Sequence, residues 1–194
     1  MQGPSATGFI VGALACAWLL GGWAGAASRD QGPEALDRAA ALRTFTEKVE
    51  RYASLRARYE APFPSFDVRR DPWSLRLQRA YLASAIRTAR RQVRLEDIFT
   101  EPVARMFRED IGVAVYEVDM EGLVGEDVDV ALVDLAVSEP VPLWAMRPVP
   151  DALLERLPPL PGAMEYRLVA DALILWDTHA EILIDALPRA LVIP

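Results

Sequence analysis

The stretch from Leu157 to Pro188 constrains the fold of this chain more than any other part. It reads LPPLPGAMEYRLVADALILWDTHAEILIDALP, with three short apolar runs separated by Ala170-Asp171 and by Thr178-His179-Ala180. Short apolar runs bounded by turn-forming residues are typical of β-strands joined by tight turns. The pattern therefore predicts a small antiparallel β-meander, entered through a segment that prolines stiffen.

The first two runs differ in the faces that they bury. In the run EYRLV, Tyr166 and Leu168 lie on one face, whereas Glu165 and Arg167 lie on the other. The second run, Leu173–Trp176, is apolar on both faces, which is typical of a central strand. Such a strand needs a cover, and we expect the N-terminal half of the chain to cover one of its faces.

The N-terminal half predicts three amphipathic helices. The first covers residues 33–61, where the following proline ends it. The second covers residues 71–91, because Asp71 is a good N-cap and a proline occupies the first helical position. The third begins near Thr100, but its end is ambiguous because residues 113–119, VAVYEVD, would serve almost equally well as a strand.

Apolar residues at helical spacing define the face that each helix is expected to bury. In chain order, these faces consist of Leu42, Phe45, Val49, Tyr52 and Tyr59; of Trp73, Leu77, Tyr81, Leu82, Ala85, Ile86 and Ala89; and of Val103, Met106, Phe107, Ile111, Ala114 and Val118.

The segment between the helices and the meander mixes acidic, apolar and proline residues. Residues 127–138, DVDVALVDLAVS, predict a strand, with a short helix as the alternative. Residues 140–150 contain four prolines and predict an extended segment. We expect its apolar residues, Leu143, Trp144 and Met146, to press onto the core.

These elements predict an α+β fold in which about three N-terminal helices pack on a small C-terminal antiparallel β-meander. One further short helix is expected over residues 151–158, DALLERLP. We expect a single domain over residues 27–194, mainly helical over 27–120 and mainly β over 127–194.

Charge is distributed unevenly along the chain. Residues 29–94 contain 15 Arg and Lys against 8 Asp and Glu, whereas residues 95–194 contain 6 against 20. Halves of opposite sign can attract each other within the molecule, or the basic half can face an anionic partner. We expect the internal attraction, because basic residues on long helices usually form a solvated face.

The N-terminus predicts export. Residues 9–23, FIVGALACAWLLGGW, form an apolar run, and Ala24-Gly25-Ala26 fits the small-x-small pattern of a signal-peptide cleavage site. We therefore expect a signal peptide over residues 1–26, cleaved after Ala26, and a periplasmic or secreted mature protein.

A retained membrane anchor is the alternative. Residues 1–8 contain no Lys or Arg, and the apolar stretch through Ala27 is about long enough to span a membrane, so residues 9–27 could stay as an anchor.

The single cysteine, Cys16, lies in this N-terminal apolar segment. If this segment is removed, the sequence predicts no disulfide, cysteine zinc site or thiol nucleophile in the mature chain.

Few residues suggest chemistry. On one extended strand Asp177, His179 and Glu181 would share a face and could hold a divalent metal, but the flanking apolar runs favour a turn at this position. Asp177, Glu181 and Asp185 could supply the two carboxylates that glycoside hydrolysis needs, although no spacing identifies a cleft. No motif predicts a cofactor.

Three segments carry a resemblance to known proteins: ERYASLRARYEAPFP, LEDIFT and LLERLPPLPGAMEYRLVADALILWDTHAEILIDALPRAL. Together they resemble a family of signal-peptide-bearing bacterial proteins of unknown function. The similarity covers most of the mature chain and is patchy over residues 112–139. It implies export, a shared fold and a third helix that reaches about Val118, and it implies no activity.

These patterns favour a non-enzymatic exported protein that binds or assembles with a protein or envelope partner. Trp73, Trp144 and Met146 are the candidate interaction residues. No nucleic-acid partner is expected for an exported chain, and contact with a membrane is expected only through an uncleaved N-terminal segment. The alternative is a small periplasmic hydrolase that uses a carboxylate pair.

Overall fold

Three long helices precede an antiparallel sheet in this chain. The computed structural model describes residues 32–63, 71–115 and 133–191. Its elements are helices α1 (Pro33–Glu60), α2 (Pro72–Ala89), α3 (Glu101–Val115) and α4 (Asp151–Leu154), a 3-10 helix (Leu143–Ala145), and strands β1 (Arg147–Pro148), β2 (Met164–Val169), β3 (Ala172–Asp177) and β4 (Ile182–Leu187). The predicted α+β fold is confirmed.

The sheet is a meander with β3 near its centre. Its strand order is β1-β2-β3-β4, and every neighbouring pair is antiparallel. Tyr166 faces Leu175 across the β2–β3 pair, and Leu175 faces Asp185 across the β3–β4 pair. All six residues of β3 are buried, which confirms the prediction of a central strand with two buried faces.

The three long helices cover one face of the sheet. Leu173 and Leu175 of β3 belong to the same buried cluster as Phe45 of α1 and Phe107 of α3. The Phe45 and Phe107 ring centroids are 4.9 Å apart, and Phe99 packs edge-on against Phe107 at 5.1 Å. The Phe107 ring also lies 6.2 Å from the Tyr166 ring of β2, so this aromatic cluster helps join the helical half to the meander.

The other face of the sheet is covered by an irregular segment. Ile174 and Trp176 of β3 pack with Val141 and Ala145. The strand predicted for residues 127–138 is wrong over 133–138, which have no regular secondary structure, and 127–132 lie outside the described residues.

Two backbone contacts replace that strand. The Ser138 N–H donates to Leu183 O at 2.7 Å, and the Leu183 N–H donates to Glu139 O at 2.9 Å. Ser138 has a φ of 65°, a left-handed conformation in which a strand cannot continue. The contact with β4 is therefore limited to one position.

The buried face of α2 differs from the predicted one. Leu82 and Ile86 are buried as expected, but Trp73, Leu77 and Tyr81 are exposed. The two sets lie one sequence position apart, which is a rotation of about 100° around the helix. Apolar residues occupy more than half of this helix, so their spacing could not show which side meets the sheet.

A few other residues also differ in burial from the prediction. Leu42 is exposed because α1 turns Ala41 towards the core instead. Leu143 and Trp144 are exposed on the 3-10 helix and do not press onto the core, whereas Met146 packs against the second face of the sheet. Val118, expected in the third helix, lies outside the described residues.

The loop before α3 is fastened to β4 by a buried carboxylate. Asp185 accepts hydrogen bonds from the backbone N–H groups of Glu96 (2.8 Å), Ile98 (2.6 Å), Phe99 (3.0 Å) and Ala186 (2.9 Å). Burial raises the pKa of the Asp185 carboxyl, and the backbone hydrogen bonds counteract this shift. Asp185 thus holds Phe99 against the aromatic cluster.

We expect Asp185→Asn to lower the free energy of unfolding by about 2–4 kcal/mol, because an amide NH₂ would face buried N–H donors and leave them unpaired. Urea denaturation followed by circular dichroism measures the change. The exposed Glu155→Gln variant removes one negative charge as a control and should be near neutral. Equal stability of the two variants would show that Asp185 does not hold this loop.

Candidate functional site at the β3–β4 turn

The β3–β4 turn carries the three residues that the sequence suggested as metal ligands. β3 ends at Asp177 and β4 begins at Ile182, so the predicted turn is confirmed. Asp177 Oδ1 accepts hydrogen bonds from the N–H groups of His179 and Ala180, both at 2.9 Å. An aspartate that bonds to the backbone two and three residues ahead stabilises a tight turn.

The second oxygen of Asp177 reaches into the protein interior. Asp177 is fully buried, and its Oδ2 accepts a hydrogen bond from the Tyr52 hydroxyl at 2.7 Å. Burial, and then the charge of Asp177, raise the pKa of Tyr52 well above its ordinary value. The phenol therefore keeps its proton and serves as a donor that ties α1 to the turn.

The His179 side chain contacts α1. Its Nδ1 lies 2.6 Å from Glu60 Oε1 and 3.3 Å from Arg56 Nη1. The short distance to the carboxylate places the donated proton on Nδ1. A histidine oriented by a carboxylate can act as a general base, but here the same Glu60 also binds Arg56, at 2.6 Å.

Arg56 is the centre of this network, and its role was missed from the sequence. The side chain is buried between Glu60, His179 and Asp177, whose Oδ2 lies 3.8 Å from Arg56 Nε. Arg56 lies four residues after Tyr52, in register with the buried stripe of α1. A charged residue at a buried helical position was the signal that could have identified it.

Glu181 points away from the other two candidate ligands. It pairs with Arg79 of α2 at 2.5 Å on the protein surface. The Asp177 and His179 side chains contact α1, whereas the Glu181 side chain contacts α2, so the three do not converge on one metal-binding point. Residues 32–63, 71–115 and 133–191 contain no group of three or more His, Cys, Asp or Glu side chains placed to hold a metal ion.

The predicted attraction between the basic and acidic halves is visible in four surface ion pairs of the described residues, in addition to the buried Arg56–Asp177 pair. They join Arg38 to Asp110, Lys48 to Asp97, Arg79 to Glu181 and Arg87 to Glu139. In each pair the cation comes from residues 29–94 and the anion from residues 95–194. Exposed pairs of this kind contribute at most about 1 kcal/mol each, so they orient the halves more than they stabilise them.

Comparison with protein-family models, curated proteins and solved structures finds no match for this chain. The resemblance to exported bacterial proteins therefore stays a prediction. The described residues contain a polar network that holds the β3–β4 turn against α1, and exposed apolar side chains elsewhere on the surface. Of the three candidate interaction residues, Trp73 and Trp144 are exposed and Met146 is partly buried.

Gly162 gives a test of how rigidly the network is held. Its φ is 60°, and a Cβ built there would lie 2.8 Å from Arg56 Nη2. We expect Gly162→Ala to lower the free energy of unfolding by about 1–2 kcal/mol, because the left-handed backbone strains an alanine and Arg56 must move. Chemical denaturation measures the loss.

Gly112→Ala is the matched control. Gly112 lies inside α3 with open space around the added methyl group, so this variant should be more stable by about 0.5–1 kcal/mol. Destabilisation by Gly112→Ala, or no loss from Gly162→Ala, would contradict the described packing.

Proposed function

We propose that this protein is an exported, non-enzymatic binding or assembly protein whose partner is another protein of the cell envelope. The observation that carries the proposal is an apolar stripe on the solvent face of α2. The stripe consists of Trp73, Leu77 and Tyr81, which are 65%, 61% and 53% exposed. Large aromatic and aliphatic side chains exposed together mark interaction surfaces.

The spacing of the stripe fits a defined mode of recognition. Its three residues follow one another at intervals of four, so they form a single line along α2. Phe63 packs edge-on against Tyr81, with ring centroids 4.9 Å apart, and extends the apolar surface. A line of anchors on one helix face is what an apolar groove of a partner recognises.

Arginines beside the stripe favour a partner with an acidic rim. The guanidinium of Arg76 lies 6.0 Å from the centre of the Trp73 ring. A partner that contacts Trp73 would therefore meet this positive charge as well. Trp, Tyr and Arg are the residues that contribute most to binding energy at protein interfaces. The stripe and its arginines therefore supply both apolar anchors and charge.

The carboxylate-pair hydrolase is supported less well. Glycoside hydrolysis needs two carboxyl groups on either side of a cleft. Asp177 and Asp185 are buried in hydrogen bonds to the backbone and to Tyr52, and Glu181 is paired with Arg79. None of the three is arranged to face a shared substrate.

Export rests on the N-terminal sequence, since residues 1–31 lie outside the described residues. In the part of the chain that the structure describes, no helix has the length and apolar character of a membrane span. We expect the protein purified from the periplasm or medium of a bacterial host to begin at Ala27, which intact-mass spectrometry would show. Recovery of the protein from the membrane fraction with residues 1–26 still attached would favour the membrane anchor instead.

The stripe is tested by capturing partners from an envelope extract with the purified mature protein. We expect the double variant Trp73→Ala/Leu77→Ala to reduce capture of the enriched partner by about tenfold or more, because interface anchors of this kind are each worth over 1 kcal/mol. Quantitative mass spectrometry measures the enrichment. Both side chains are exposed, so thermal unfolding should be nearly unchanged.

Leu36→Ala/Leu42→Ala is the matched control, because it removes exposed apolar surface from α1 instead. Capture should survive in this variant. If both double variants capture the partner equally, or if wild-type protein enriches nothing over an unrelated exported protein, the proposed role of the stripe is wrong.

A further inference from the structure

A basic cavity lies at the C-terminal end of α2. Its volume is about 600 Å³, and it is lined by six of the residues between 87 and 95 together with residues 135–139. Four arginines line it: Arg87, Arg90, Arg91 and Arg94. This volume is in the range of about 300–1,000 Å³ that is typical of small-molecule sites.

Two of the four arginines are already engaged. Arg87 forms a bidentate pair with Glu139, at 2.8 and 3.0 Å. Arg90 is buried, donates to Ile184 O at 2.9 Å and stacks 5.0 Å from the centre of the Tyr52 ring. Both therefore shape the wall of the cavity.

Arg91 and Arg94 are available to a ligand. Both are exposed, and neither forms an ion pair or a side-chain hydrogen bond within residues 32–63, 71–115 and 133–191. The C-terminus of α2 carries partial negative charge, which two nearby unpaired guanidinium groups outweigh. The cavity thus presents two guanidinium groups that no acidic side chain of the described residues pairs with.

Ser138 is a second and independent sign of a ligand. It lines the cavity and is only 2% exposed, yet its hydroxyl has no hydrogen-bond partner in the described part of the chain. Buried polar groups in folded proteins nearly always have a partner. The hydroxyl oxygen is itself shielded from solvent, and a rotation about the Cα–Cβ bond would bring it to an acceptor bound in the cavity.

We propose that this cavity binds the phosphate group of a small phosphate monoester with an apolar body. Guanidinium groups only donate hydrogen bonds and match the geometry of phosphate oxygens, so Arg91, Arg94 and Ser138 together can serve an acceptor-rich dianion. Val93, Leu95 and Leu135 also line the cavity and provide an apolar wall for the rest of the ligand. The site is at the opposite end of α2 from Trp73 and does not depend on the proposed protein partner.

Isothermal titration calorimetry with phenyl phosphate tests the site. Wild-type protein should show saturable binding that weakens as salt is raised. Arg91→Gln and Arg94→Gln should each weaken binding by about tenfold or more, the usual effect of losing a charged hydrogen bond. Arg43→Gln, an equal change of charge at an exposed α1 residue that does not line the cavity, should bind as the wild type does.

Ser138→Ala separates a ligand contact from a structural role. Binding should weaken while the melting temperature is not lowered, because the hydroxyl has no described partner in the unliganded protein. Absence of saturable binding to wild-type protein at millimolar phenyl phosphate, or equal binding by the Arg91, Arg94 and Arg43 variants, would overturn the proposal.

Vesicles containing phosphatidic acid distinguish the two sources of a phosphate monoester. Sedimentation with these vesicles, lost in Arg91→Gln and Arg94→Gln but kept in Arg43→Gln, would support the site with a lipid headgroup as its source. Binding of phenyl phosphate without sedimentation would support the site with a free small molecule as its source.

Discussion

The rest of the structure depends on the burial of β3 on both faces. A strand whose six residues are all buried must be paired at both edges and covered on both sides, because its backbone and side chains have no access to water. β2 and β4 satisfy the edges, the helices cover one face through the Phe45 and Phe107 cluster, and Val141 and Ala145 cover the other. The order of layers follows from this one requirement.

The two buried carboxylates of this interior are satisfied by backbone N–H groups and by α1. Asp185 receives backbone hydrogen bonds from the loop before α3, and Asp177 receives them from its own turn and from Tyr52. Arg56 then bridges α1 to the same turn. Asp177 and Asp185, which the sequence offered as possible catalytic carboxylates, therefore form structural hydrogen bonds. These bonds hold the helical layer in position on the sheet.

The ion pairs between the two halves, and the surface features that these pairs leave unused, explain where binding is expected. Ion pairs such as Arg79–Glu181 and Arg87–Glu139 join α2 to the sheet side of the molecule. Two features of this region are not used in such pairing: the apolar line through Trp73 at the start of α2, and Arg91, which follows the end of α2, lines the cavity and has no ion pair within the described residues. Features that do not contribute to the fold are the ones most open to a partner or ligand.

The sequence by itself determined the meander, the central strand, the helix starts and the attraction between the two halves. Each of these depends on local chemistry: strand alternation, the Asp71 cap, and the segregation of charge. Only the tertiary structure decided which side of α2 is buried, that residues 133–138 are not a strand, and that Arg56 lies inside. Those outcomes depend on contacts between residues far apart in the chain, such as Arg56 with Asp177, and a one-dimensional pattern carries no information on such distances.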